Sequence, residues 1–285
     1  MERRLKVLIT GANGQLGKDM TNLLLEENYK VYAFSRQELD ITNEIQVNTV
    51  MEEIKPDVVI HTAAYTKVDL AESEPDEAYR VNAFGTRNIA VASESVGAKL
   101  VYVSTDYVLN GEGNKPYTEY DEVDPINVYG KSKLAGEQMV RDFHTKFFIV
   151  RTSWVYGKHG NNFVKTMLNL AQNQDTISVV NDQIGCPTYT VDLAKTILGL
   201  IETSKYGIYH VSNSGSCSWF EFAQAIFNEA NMKVNLLPVK SDQFPRPAKR
   251  PSYSVFNHMS LRTNDFTTPR NWKDGLASFL KEYLR

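Results

Sequence analysis

Short apolar runs alternate with longer amphipathic stretches through the first half of the chain, and this rhythm limits the fold more than any other feature. The runs fall at residues 7–10, 31–34, 58–61, 100–103 and 147–150. They are apolar almost throughout rather than at every second position, which is the pattern of strands covered on both faces. Between them, residues 15–26, 75–95 and 129–143 read as helices. Strand, helix, strand in repetition predicts a parallel sheet with right-handed crossovers.

After about residue 152 the rhythm loosens. Residues 157–162, 181–188 and 244–254 read as loops, the last rich in Pro and Arg, while regular elements are expected at 177–180, 190–203 and 208–211. Ser218-Trp-Phe-Glu221 fits a capping box and so the start of a helix. The expected division is a first domain over residues 1–152 and a smaller α/β domain mainly over 153–285, with the chain returning to the first near 190–212.

Composition narrows the function classes. The 285 residues carry 31 basic and 34 acidic side chains, a formal net charge of -3, so neither a nucleic-acid nor a membrane surface is expected. Cys186 and Cys217 have no metal-ligand spacing and are too few for a disulfide framework, which points to a reducing cytosol. The first residues lack the apolar run of a signal peptide, and no apolar stretch is long enough to span a bilayer, so a cytoplasmic location is expected.

The first strand runs into Thr10-Gly11-Ala-Asn13-Gly14-Gln15-Leu16-Gly17, with a helix directly after. Glycines there permit a tight turn and let backbone amides approach a diphosphate at the positive end of the helix. The spacing is G-x-x-G-x-x-G, and an ordinary glycine-rich turn is the competing reading. The position supports a Rossmann-type parallel sheet with helices on both faces, residues 1–152 holding NADP and 153–285 mainly the substrate. The second strand ends Phe34-Ser35-Arg36, with no acid until Glu38 and Asp40. An acid would hold a ribose 2′-hydroxyl, whereas an arginine accepts a 2′-phosphate, so NADPH is preferred unless Arg36 is merely a solvated surface residue, and NADH remains possible. Asp40 and Ile41 come next and would flank the adenine.

Tyr129-Gly-Lys-Ser-Lys133 sets a phenol and an ammonium four residues apart, on one helix face. The ammonium is expected to lower the tyrosine pKa. With 15 tyrosines, roughly one such pair arises by chance, so the pattern gains weight only beside Thr105, a hydroxyl just past the fourth strand, where open α/β sheets bind ligands. His61, at the end of strand three, reads as a packed residue.

Taken together these stretches resemble the extended short-chain dehydrogenases, and more narrowly the dTDP-4-dehydrorhamnose reductase family. Further matching segments are Ala63-Ala-Tyr-Thr-Lys-Val-Asp69 with Glu72-Ser-Glu-Pro75, Val103-Ser-Thr-Asp-Tyr-Val108 and Asn127-Val-Tyr-Gly-Lys-Ser-Lys-Leu-Ala-Gly-Glu137. Arg151-Thr-Ser-Trp-Val-Tyr156, Gly160-Asn-Asn-Phe-Val-Lys-Thr-Met167 and Asn181-Asp-Gln-Ile-Gly-Cys-Pro-Thr188 complete the set. The resemblance implies Tyr129 as the acid that protonates the C4 oxygen of a nucleotide-linked 4-keto sugar, Lys133 as the group that lowers its pKa and holds the nicotinamide ribose, and Thr105 as a hydrogen-bond partner of the same oxygen. It implies Ala63, Ala64 and Thr66 along the cofactor. Trp154 would wall the sugar, or pack in the core. Asn162, Gln183 and Thr188 would touch the substrate nucleotide, and Arg250, on the loop at 244–254, would face its diphosphate unless that loop is merely solvated. Asp106 is either a substrate contact or structural.

Relatives that dehydrate carry Thr-Asp-Glu where this chain has Thr105-Asp106-Tyr107, so elimination is not expected. Two alternatives stay open: a nucleotide-sugar 4-epimerase, and an NADP-binding regulatory protein resembling the regulatory subunit of methionine adenosyltransferase. No metal is expected, since Gln15 stands where a metal-bridging acid of some relatives would sit; a monomer or homodimer is expected.

Overall fold

The computed structural model describes residues 4–284. Strands β1 (Lys6–Thr10), β2 (Lys30–Phe34), β3 (Val58–His61), β4 (Lys99–Thr105), β5 (Phe147–Thr152) and β6 (Gly207–His210) form one sheet. Their spatial order is β6-β5-β4-β3-β1-β2, and every neighbouring pair is parallel. Helices α1 (Gln15–Glu26), α2 (Glu44–Ile54), α3 (Thr86–Ser95), α4 (Val128–Phe143) and α5 (Thr190–Ile201) cover both faces.

The apolar runs explain this layering. Val7, Ile9, Val58, Ile60, Val101 and Phe148 point to one side, against Met20 and Leu24 of α1 and Leu193 and Ile197 of α5. Leu8, Val59, Leu100 and Ile149 point to the other, against Val47 of α2, Ile89 of α3 and Val140 of α4. Each such side chain contributes roughly 1.5–3 kcal/mol when fully buried. β2 and β3 flank β1 on opposite sides, so the chain reverses direction across the sheet there and opens a crevice above the carboxyl ends.

One expected helix is broken. Residues 75–95 divide into Pro75–Tyr79, a π-helical turn at Arg80–Gly85, and α3. The wider turn carries the buried Asn82, whose side chain accepts from Tyr65 N at 2.8 Å and donates to Tyr65 O at 3.1 Å and to the Ser132 hydroxyl at 2.9 Å. Those bonds fix the segment after β3 to α4.

A second core gathers Tyr156, Val164, Ile177, Phe222, Trp272 and Phe279. It is built from the helices Phe163–Asn173, Trp219–Glu229 and Trp272–Tyr283 and a parallel pair, Thr176–Val180 with Asn235–Val239. Ser218 and Glu221 form the capping box that starts the middle helix. The elements of this core lie on both sides of α5 and β6 in sequence, so the chain leaves it, completes the large sheet, and comes back. Among the described residues, no helix is long and apolar enough to cross a membrane.

Candidate active site

A cleft of about 640 Å³ opens over the carboxyl ends of the strands. Its floor begins with the phosphate loop. Gly11 has φ +70°, and a Cβ there would lie 2.7 Å from Ala63 N; a Cβ on Gly17 would lie 2.4 Å from Gly11 O. Loop, β3 end and helix start therefore touch through backbone, and only glycine allows it. Gly14 caps α1 with no side-chain hydrogen bond to the first amides, the disposition of an anion site. Asn13, Gln15 and Leu16 line the same wall, as do Ala63, Ala64 and Thr66. This cradle fits the diphosphate of a dinucleotide.

At the far end, Ser35, Arg36, Asp40 and Ile41 line the cleft. Arg36 keeps 69% of its side chain exposed and lies 3.7 Å from Glu77. Glu38 turns back on the strand end: its carboxylate accepts from Ser35 N at 2.8 Å and from the Ser35 hydroxyl at 2.7 Å. Those bonds hold it below the usual carboxylate range. The acid that sequence sets three residues beyond Ser35 is thus, in space, at the strand end itself.

Thr105 closes β4 and caps the short turn Asp106–Val108, accepting from Tyr107 N at 3.2 Å. Tyr129 stands in the first turn of α4, which Asn127 caps by accepting from Gly130 N at 2.8 Å. Its ring meets Tyr107 edge-on at 5.5 Å. Burial pushes the Tyr129 phenol up to about 12, against a hydrogen bond with Thr105. The expected lowering by Lys133 is therefore corrected. The Lys133 ammonium donates to Val103 O at 2.8 Å and sits 4.1 Å from the Tyr102 ring centroid, while burial lowers its own pKa to about 7 against the pull of Glu137. Thr105 has a carboxylate neighbour. Its single proton points to Asp106 Oδ1 at 3.1 Å, so donation to a substrate oxygen competes with that carboxylate.

Below this set lies a buried ion pair that sequence reasoning passed over. Glu137 accepts from Arg151 at 2.9 and 2.7 Å and from the Ser104 hydroxyl at 2.6 Å. Burial raises the Glu137 pKa, and the arginine and serine more than reverse that. Glu137 follows Lys133 by four residues, so the helical spacing itself signalled a third inward position.

Trp154 lines the cleft from a strained backbone, φ +45°. Its indole stacks on Trp219 with centroids 3.5 Å apart, and a Cβ on Gly185 would come within 2.6 Å of it. The wall and core readings of Trp154 thus describe one residue.

Four expected substrate residues are not among those lining the cleft. Asn162 caps the helix Phe163–Asn173 and donates to Gln15 Oε1 and to Gly157 O, both at 2.9 Å. Gln183 donates to the Ser241 hydroxyl at 2.9 Å. Thr188 is buried and pairs with Val155 in a short ladder. Arg250 meets the Asp69 carboxylate at 2.7 Å, a carboxylate that Arg246 also approaches at 4.0 Å. Conversely, Gly160 and Leu193 reach the cleft from the second half of the chain with no local sequence signal.

A parallel α/β sheet, a phosphate loop at its reversal point and a Thr-Tyr-Lys set beside it define a dinucleotide-dependent enzyme of the extended short-chain dehydrogenase type. Comparison narrows the class. The family model described as RmlD substrate binding domain matches residues 5–285. The chain is 44% identical to the spore coat polysaccharide biosynthesis protein SpsK of Bacillus subtilis, covering 97% of each. It is 42% identical to a dTDP-4-dehydrorhamnose reductase of Aggregatibacter actinomycetemcomitans, covering 96% of this chain and 97% of that one. The crystal structure of a Bacillus anthracis dTDP-4-dehydrorhamnose reductase in complex with NADP superposes with a TM-score of 0.97 at 57% identity, covering 98% of this chain and 100% of that one. The chain belongs to the dTDP-4-dehydrorhamnose reductase family.

Proposed function

We propose that the protein reduces the C4 ketone of dTDP-4-dehydro-L-rhamnose with NADPH, giving dTDP-L-rhamnose. The observation that carries this is the gathering of Thr105, Tyr129 and Lys133 in one cleft with the glycine cradle. Membership of a reductase family and a relative that holds NADP support the substrate and the cofactor. Two free, buried cysteines support a reducing, cytoplasmic setting.

When bound, the reduced nicotinamide supplies the hydride. The chain's own residues do the rest. Gly11, Gly14 and Gly17 with the amides of Asn13, Gln15 and Leu16 hold the diphosphate. Ser35, Arg36, Asp40 and Ile41 hold the adenosine end, and Ala63, Ala64 and Thr66 line the path between. Negative charge grows on the ketone oxygen as the carbonyl carbon is reduced, and Tyr129 gives its proton to that oxygen. A phenol raised to about 12 is protonated throughout the physiological range, so the donor is always loaded. Thr105 lines the cleft together with the phenol. Lys133, buried in the same cleft, adds positive charge in its protonated form, which favours the developing oxyanion. Asp106 and Trp154 bound the space left for the sugar.

The test is turnover. Purified protein with dTDP-4-dehydro-L-rhamnose and NADPH is expected to consume NADPH absorbance stoichiometrically with dTDP-L-rhamnose. NADPH binding with no consumption would favour a regulatory role instead, and interconversion of C4 epimers with no net consumption would favour an epimerase.

A further inference from the structure

Asp106 directly follows Thr105 and is buried. Both of its oxygens are engaged: Thr105 Oγ1 donates to Oδ1 at 3.1 Å, and Ser254 Oγ donates to Oδ2 at 2.7 Å. Ser254 lies 148 residues further along the chain and is also buried. Backbone bonds on both sides fix its segment. Ser254 N donates to Ile184 O at 2.8 Å and Ile184 N to Ser252 O at 2.9 Å, while Tyr253 N donates to Gly111 O at 3.0 Å and Tyr117 N to Val255 O at 2.8 Å. That stitching holds the Ser254 backbone beside Asp106.

A hydroxyl has one proton, and an ionised carboxylate only accepts. With Asp106 charged, the Thr105 proton stays on Oδ1, while its oxygen accepts from Tyr107 N and lines the cleft together with Tyr129. We propose that Ser254 is a positioning residue for the reduction: by clamping Asp106 it fixes the direction of the Thr105 hydroxyl in the cleft that Tyr129 also lines. The proposal rests on the reductase reading of this site.

Protonation tests the clamp. Burial pushes the Asp106 carboxyl up to about 6, while the bonds from Ser254 and Thr105 oppose it. The titratable groups facing it are Tyr107 on its own turn, Tyr129 on α4 and Cys186, with Arg250 beyond Tyr107. Burial raises all three of the nearer groups, so they keep their protons where Asp106 titrates. Once neutral, Asp106 can donate to one hydroxyl, and the Thr105 proton is released from its fixed direction. Removing the Ser254 bond takes away a contact that favours the charged form, so the midpoint moves up.

Two measurements on the full chain with NADP⁺ or NADPH bound decide the matter. In ¹³C NMR of carboxyl-labelled aspartate, with Asp106 assigned by its loss in Asp106→Asn, Ser254→Ala is expected to raise the Asp106 midpoint by roughly half a pH unit or more. This readout needs no sugar, so it stands apart from the reductase reading. In the pH profile with dTDP-4-dehydro-L-rhamnose, Ser254→Ala is expected to move the acid limb of kcat up by a similar amount and to lower kcat about tenfold with little change in KM. Asp106→Asn is expected to abolish that limb. An unmoved NMR midpoint, or a Ser254→Ala profile of unchanged shape, overturns the proposal. If Ser254→Ala does not fold, an acid limb that persists in Asp106→Asn overturns it. If the unaltered protein does not turn over the sugar, the reductase reading fails and the NMR midpoint alone judges the clamp.

Discussion

Tyr129 holds a proton it gives up with difficulty, and that shapes what a substitution there does. Tyr129→Phe keeps the ring and its edge contact with Tyr107 but removes the donor. It is expected to lower kcat by about 100-fold or more, with NADPH affinity within about twofold of the unaltered protein, by steady-state kinetics and calorimetric titration; turnover near wild type would remove Tyr129 as the acid. Lys133 presents a different case. Its pKa near 7 means that folding buries an ammonium the unfolded chain holds to higher pH. A base with a lowered folded-state pKa makes stability rise with pH, here from about 7 upward toward its ordinary value of 10.5. Lys133→Met removes that dependence, so its denaturation midpoint is expected to vary less between pH 7 and 9 than that of the unaltered protein. An identical slope would show that another group carries it.

Elements, rather than residues, decide cofactor capture. The phosphate loop works because Gly11 occupies the left-handed region and lies against Ala63. Gly11→Ala forces both a strained backbone, costing on the order of 1–3 kcal/mol, and a shift of the β3 end that lines the cleft. NADPH affinity is expected to fall at least tenfold, with a lower melting temperature, by calorimetry and thermal unfolding; tight binding would show that the loop does not hold the diphosphate. The loop was legible in sequence because its requirement is local: three glycines after a strand and before a helix. The sheet was legible for the same reason, since each apolar run reports its own burial. The π-helical turn at Arg80–Gly85 was not, because its cause is Asn82 reaching Tyr65 and Ser132 across the fold. The Arg250 ion pair was hidden for a related reason. Its partner Asp69 lies 181 residues away, so a basic, proline-rich loop read as free to meet a phosphate. Gly160 and Leu193 gave no local sign at all, because folding alone brings them to the cleft.

Across the whole molecule, buried histidines set the response to acid. Burial holds His61 down to about 3 and His258 to about 4, and pushes His210 well below its ordinary 6.5. Below pH 6.5 the unfolded chain gains protons at these sites that the folded chain refuses, so stability falls as pH drops toward 4, by about 1.4 kcal/mol per unit for each group fully in its window. Asp106 acts in the opposite sense between its ordinary 3.8 and about 6, because the folded carboxyl takes a proton first. His144 is lowered by burial as well, and Asp19 and Glu119 are raised as Asp106 is, so four imidazoles against three carboxyls give a net loss. The urea midpoint is expected to be lower at pH 5 than at pH 7.5, and an unchanged midpoint would mean that these imidazoles are not neutral in the folded protein.

The return of α5 and β6 to the large sheet governs how this protein can be taken apart. A fragment ending at residue 152 would lack an edge strand and would expose Phe148 and Val150 where β6 and α5 lie in the intact chain. Such a piece would expose greasy surface and aggregate. Anyone grafting the sugar-facing half of a relative onto this scaffold must therefore splice at several junctions, keeping residues 190–210 with the recipient.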